Sequence, residues 1–101
     1  MIRAYAEKKG TRCRLYVEGH ANADGGNDAV CAAVSALVGA LLEYAERCGN
    51  CRHLRTSLAR GMAFLSCHGG LGAAFDMVLL GLAEIGRCYP EHLKLDTALM
   101  S

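Results

Sequence analysis

The chain has 101 residues, 52% of them hydrophobic, and a formal net charge of +1. That length holds one domain with a single core, the apolar share excludes disorder, and the near-neutral balance gives no electrostatic reason for direct binding to nucleic acid. Six cysteines suggest a disulfide scaffold, but Met1-Ile2-Arg3-Ala4-Tyr5 lacks the basic start and apolar run of an export signal. The thiols are therefore expected to be reduced, buried hydrophobes in a cytoplasmic protein. The longest apolar stretch, Ala29 to Leu42, is interrupted by Ser35. It falls short of the roughly 20 residues a membrane span needs, so no membrane contact is expected.

In chain order, Ile2, Ala4 and Ala6 alternate with Arg3, Tyr5 and Glu7, and Cys13, Leu15 and Val17 alternate with Arg12, Arg14, Tyr16 and Glu18. Both patterns predict strands with one apolar face, joined at Lys8-Lys9-Gly10, where Gly10 supplies a positive φ. Asp28 to Cys48, polar chiefly at Ser35, Glu43, Glu46 and Arg47, predicts a buried central helix covering that face. Asp28 would cap it and Gly49 would close it at the C′ position. Gly39 in its interior costs about 1 kcal/mol against alanine, so another backbone is expected to pack there.

Cys51 to His68 returns to strands, with Leu54, Thr56 and Leu58 sharing a core with Ala63, Leu65 and Cys67, and with a turn at Arg60-Gly61. Leu71 to Arg87 predicts a second helix, exposed along Asp76 and Glu84 and stopped by Pro90. His92 to Thr97, with Leu93 and Leu95 inward, predicts a short fifth strand. The expected fold is α+β, a single domain over residues 1–101 with two helices packed on a mainly antiparallel sheet of about five strands in the order ββαββαβ. Strand order stays open at this stage, and the outward Arg, Tyr and Glu side chains suit solvent or a partner.

The chemistry concentrates between Gly19 and Leu37. His20 ends a strand-like segment, Asn22, Ala23, Asp24, Gly25, Gly26 and Asn27 form a polar loop of the kind that closes over a substrate, and Cys31 follows in the first turn of the apolar helix. A helix N-terminus favours thiolate over thiol, a nearby imidazolium favours it further, and the thiolate is the form that attacks a carbonyl. The pattern pairs a base, His20, with a nucleophile, Cys31; the first-turn backbone N–H groups are candidate oxyanion donors. No metal or cofactor is needed for this chemistry.

Gly19, His20, Ala21, Asp28, Val30, Cys31, Ala32 and Ser35 together resemble the hallmark of the ribosomal-processing cysteine proteases called Prp: Gly-His-Ala, a glycine-containing loop, Asp-Ile/Val-Val-Cys-Ala and a nearby serine. The resemblance is close from Gly19 to Leu37 and weaker beyond, and the spacing from histidine to cysteine is slightly shorter than in the family's best-known members. It implies a cysteine endopeptidase that removes the N-terminal extension of a large-subunit ribosomal protein, and it implies a homodimer. Asp28 and Ser35 enter as supporting residues; their plainer roles are a helix cap and a hydroxyl bonded within its own helix. The rival expectation is a non-catalytic binding module that holds a protein partner in ribosome assembly with the same loop and the outward sheet face.

Other constellations read more plainly. Cys48-Gly49-Asn50-Cys51 is a C-x-x-C at a helix C-terminus, where the dipole disfavours thiolate, and adjacent Cys67-His68 is poorly spaced to complete a zinc site. Gly69-Gly70-Leu71-Gly72 only faintly resembles a phosphate-binding turn, because Phe75 replaces the final glycine of the dinucleotide fingerprint. His53 and His92 suggest no role.

Overall fold

The computed structural model describes residues 1–20 and 28–97. Its elements are β1 (Ile2–Lys9), β2 (Arg12–Glu18), α1 (Asp28–Arg47), β3 (Arg52–Ala59), β4 (Met62–His68), α2 (Ala73–Cys88) and β5 (Leu93–Asp96). Their succession is the expected ββαββαβ. The five strands form one sheet in the order β3-β4-β2-β1-β5. All neighbours are antiparallel except β1 and β5, which are parallel with Ile2 opposite Leu93.

Strand alternation sorts the sheet into two faces. Ala4, Ala6, Cys13, Leu15, Val17, Leu65 and Cys67 are buried on the face that meets the helices, while Arg3, Tyr5 and Arg14 are exposed on the other. Helix α1 contributes Val30, Val34, Val38, Leu41, Leu42 and Ala45, recurring every three or four residues, and α2 contributes Phe75, Val78, Leu79 and Leu82. Both helices lie on one side, so the outward sheet face has no cover among the described residues.

Helix α1 departs from the expected buried helix. Its Ala29, Ala32, Ala33, Ala36 and Ala40 are exposed, because alanine adds little apolar area and a single stripe suffices to cover the sheet. Ala29–Arg47 is long and apolar enough to pass as a membrane span by composition, with mean hydropathy 1.5, yet its valine and leucine stripe is part of the core. Gly39 has no neighbour either: a Cβ there would find nothing within 4 Å, whereas a Cβ on Gly81 would stand 2.8 Å from Leu37 Cδ1. The close approach between the helices is therefore made at the glycine of α2.

Gly49 does not adopt the left-handed conformation expected of a C′ residue. Its N–H and that of Cys48 both donate to the Tyr44 carbonyl at 2.8 Å, and a Cβ on it would stand 3.0 Å from Cys51 Sγ and 3.3 Å from Ala45, so a side chain would crowd this turn. Gly10 and Gly61 do take positive φ, 58° and 77°, as the two hairpin turns require. The six cysteines form no disulfide, but only Cys13 and Cys67 are buried; Cys31 and Cys51 are half-buried and Cys48 and Cys88 exposed. Leu58 shares the inward register, opposite Ala63, yet stays 70% exposed, because it lies at the hairpin end beyond the cover of α1.

Candidate active site

Strand β2 ends at Glu18, and Gly19, at φ 99°, turns the chain out of the sheet. Only a glycine serves here, since a Cβ would collide with the Met1 carbonyl. The Gly19 N–H donates to the Gly61 carbonyl at 2.9 Å, and the Met1 nitrogen donates to the His20 carbonyl at 3.0 Å. His20 is thus held by its backbone between the start of β1 and the β3–β4 turn. Its ring lies over Gly61: a Cβ there would stand 2.6 Å from Nε2 and 3.1 Å from Cε1.

Cys31 reaches the same place from the other wall. Helix α1 begins at Asp28 itself, one residue earlier than a cap at Asp28 requires, so Cys31 is its fourth residue and still in the first turn. Ser35 stands one turn further along the same side of the helix. His20, Cys31 and Ser35 line one cleft of about 400 Å³ between α1 and the β3–β4 hairpin. Its remaining walls are mostly apolar, from Ile2, Val17, Val34, Val38, Leu58, Met62 and Ala63, with Arg60 adding a charge and Gly39 an opening without a side chain. That size and lining suit a small ligand or a few residues of extended peptide.

The loop from Asn22 to Asn27 that the sequence assigns to substrate lies outside the described residues, as does the side chain of Asp28. Gly39, Leu58, Arg60, Gly61 and Met62 also line the cleft, and the sequence reading assigned none of them to the site. Arg60-Gly61 was legible as a turn, but its placement beside His20 follows from the pairing of β4 with β2, which sets Met62 against Glu18.

Cys13 and Cys67 lie at the other end of the sheet from the cleft and are buried. Burial, followed by a hydrogen bond with Cys51, pushes Cys67 up to about 12, and burial also raises Cys13, its partner across β2 and β4. Among the described residues no group of three or more His, Cys, Asp or Glu side chains could hold a metal ion. Gly70 leaves no room for a phosphate-binding role, since a Cβ on it would run into the backbone of Asn50 and Cys51.

Comparison with known proteins identifies the family and the fold. The family model described as cysteine protease Prp matches residues 1–94. The essential ribosomal processing protease Prp from Staphylococcus aureus, solved with a covalently linked product peptide, superposes with a TM-score of 0.80 at 19% identity, over 96% of this chain and 99% of that one. The same protease solved with a substrate peptide gives a TM-score of 0.75 at 19% identity and the same coverage. SMU.848 from Streptococcus mutans gives 0.73 at 23% identity, over 100% of this chain and 96% of that one. The curated proteins provide no match.

Proposed function

Because the chain belongs to the cysteine protease Prp family, we propose that it is a cytoplasmic endopeptidase that removes the N-terminal extension of a large-subunit ribosomal protein, with Cys31 as nucleophile and His20 as base. The observation that carries this reading is the cleft itself: His20, just past the end of β2, and Cys31, in the first turn of α1, line one peptide-sized hollow. Family membership supports a homodimer as the working form. Ser35, in the same cleft, and Asp28, at the helix start, are the supporting residues, and Asn22 to Asn27 are assigned to the substrate.

In this reading the Cys31 thiolate attacks the scissile carbonyl carbon, forming a C–S bond and placing the charge on the carbonyl oxygen, where the positive end of α1 stabilises it. Collapse of this intermediate breaks the C–N bond, and His20, protonated when it took the thiol proton, gives that proton to the leaving amine. Water, deprotonated by His20, then attacks the thioester carbonyl, releasing the new carboxyl end and restoring the thiol. The apolar walls exclude water from the first step and leave the chemistry to two side chains, with no cofactor.

The test uses Cys31→Ala, Cys31→Ser and the parent with a peptide that spans such an extension. A serine hydroxyl is not ionised by a helix N-terminus, so both variants should lose cleavage by several orders of magnitude while still binding the peptide. A Cys31→Ala protein that cuts near the parent rate means the nucleophile is misassigned. If the parent neither cuts nor binds, the substrate class is wrong.

A further inference from the structure

The outward face of the sheet carries an ordered set of side chains that the cleft does not use. Across the strands, Tyr5 stands opposite Tyr16, and Tyr16 opposite Phe64, making a row of three rings on β1, β2 and β4. The Tyr5 and Tyr16 rings are stacked, with centroids 6.3 Å apart, and Tyr5 is 43% exposed. Two residues along, Arg14 stands opposite Ser66, and Ser66 opposite Arg55. A further step brings Arg12 opposite His68, on which His53 rests edge to face at 5.9 Å; the irregularity in β3 and the positive φ of His53, 54°, turn that ring onto the face. Arg12, Arg14, Arg55, His53, His68 and Ser66 line a shallow hollow of about 630 Å³, with the Glu7 carboxylate at its edge, opposite Arg14.

Charge and shape together narrow what fits. Arg12 is paired with Glu7 at 2.5 Å, but Arg14 and Arg55 have no ion pair among the described residues. The overall charge of +1 averages this face with helices that carry Glu43, Glu46, Asp76 and Glu84, so it conceals a local excess of cations. Arginines flanking a hydroxyl suit phosphate oxygens, while a row of rings across the strands, Tyr5 exposed and Tyr16 and Phe64 half-buried, suits unstacked bases, which a double helix does not present. An acidic peptide would use the arginines and leave the three rings unexplained.

We propose that this face binds single-stranded nucleic acid, with bases stacked on Tyr5, Tyr16 and Phe64 and phosphates held by Arg14, Arg55 and Arg12. The site is separate from the cleft. Strand β2 runs from the hollow at Arg12 to the cleft beyond Glu18, about 20 Å along the sheet, and the cleft opens on the helix side.

The experiment is fluorescence anisotropy of the full chain with a labelled twelve-nucleotide uridine RNA and the matching thymidine DNA, at 50 and 200 mM salt. With three phosphates neutralised, affinity should fall by about 18-fold over that range. Arg14→Glu with Arg55→Glu should abolish binding, and Tyr5→Ser should weaken it by about 10-fold. All three side chains are exposed, so circular dichroism should match the parent and peptide cleavage should be unchanged. Tighter binding of RNA than DNA would identify the 2′-hydroxyl as part of the recognised chemistry; equal binding identifies base and phosphate alone, and either supports the proposal. It is overturned by no binding of either strand at 100 µM protein in 50 mM salt, or by binding that survives the double arginine change. Loss with the arginines but not with Tyr5→Ser reduces the face to a polyanion attractor and refutes the stacking role. A double variant that changes the oligomeric state in light scattering, with no strand bound by the parent, makes the face an interface between copies.

Discussion

Gly61→Ala isolates the positioning of His20 from everything else in the fold. The backbone there has φ 77°, where a Cβ costs about 1–2 kcal/mol, and the new methyl carbon would stand 2.6 Å from His20 Nε2. Restoring an ordinary 3.4 Å contact moves the ring by about 0.8 Å, and a misplacement of about 1 Å costs on the order of 100-fold in rate. Gly10→Ala is the matched control: its φ of 58° brings similar backbone strain, but nothing lies within 4 Å of the added carbon. Both variants should melt lower by roughly 4–16 °C, given about 4–8 °C per kcal/mol for a chain this size. Only Gly61→Ala should lose kcat/KM in the peptide assay, by about 100-fold, with the Gly10 variant near the parent. Equal kcat/KM for the two variants at a temperature where both are folded would refute the link between the hairpin turn and the histidine.

Three further outcomes follow from other parts of the molecule. Gly39→Leu adds a side chain where the cleft has an opening and gains about 1 kcal/mol of helix propensity, so the melting temperature should hold or rise while KM for the peptide rises at least about tenfold; an unchanged KM excludes this stretch of α1 from the substrate path. Phe75 is fully buried, and Phe75→Ala should lower unfolding free energy by about 3–5 kcal/mol in urea titration; a loss below about 1 kcal/mol would mean the core closes over the gap. Cys67 carries its proton up to about 12 in the folded state against 9.0 in the unfolded chain. Its contribution is therefore fully present below pH 9 and declines as the pH rises from there towards 12, because the unfolded chain releases the proton first. Urea midpoints at pH 8 and 10.5 should show this fall, and Cys67→Ala should reduce it, leaving the part that the raised Cys13 adds; an equal fall in the variant would assign the effect to other groups.

The local pattern carried the elements: strict alternation at Ile2 to Glu7 and Arg12 to Glu18, the apolar run after Asp28, the turns at Gly10 and Gly61 and the stop at Pro90 each depend on neighbours within a few residues. The placement of His20 before a helix that opens on Cys31 was legible for the same reason. Period and turn chemistry are local properties.

What the sequence could not decide depends on contacts between distant segments. Strand order rests on β4 pairing with β2 and β5 with β1, and nothing within a strand names its partner. That order is what sets Gly61 beneath the His20 ring and closes the cleft with the β3–β4 hairpin. Gly39 shows the same limit. An interior helix glycine signals that something is required at that point, but whether it makes room for a backbone or opens a hollow depends on which face the helix turns to the sheet. In this chain the packing glycine is Gly81, against Leu37 of the other helix, and Gly39 is left facing the cleft. The six cysteines divide likewise into buried, half-buried and exposed by their place in the assembled layers, since the environment of a thiol is set by the elements packed over it and not by its neighbours in the chain.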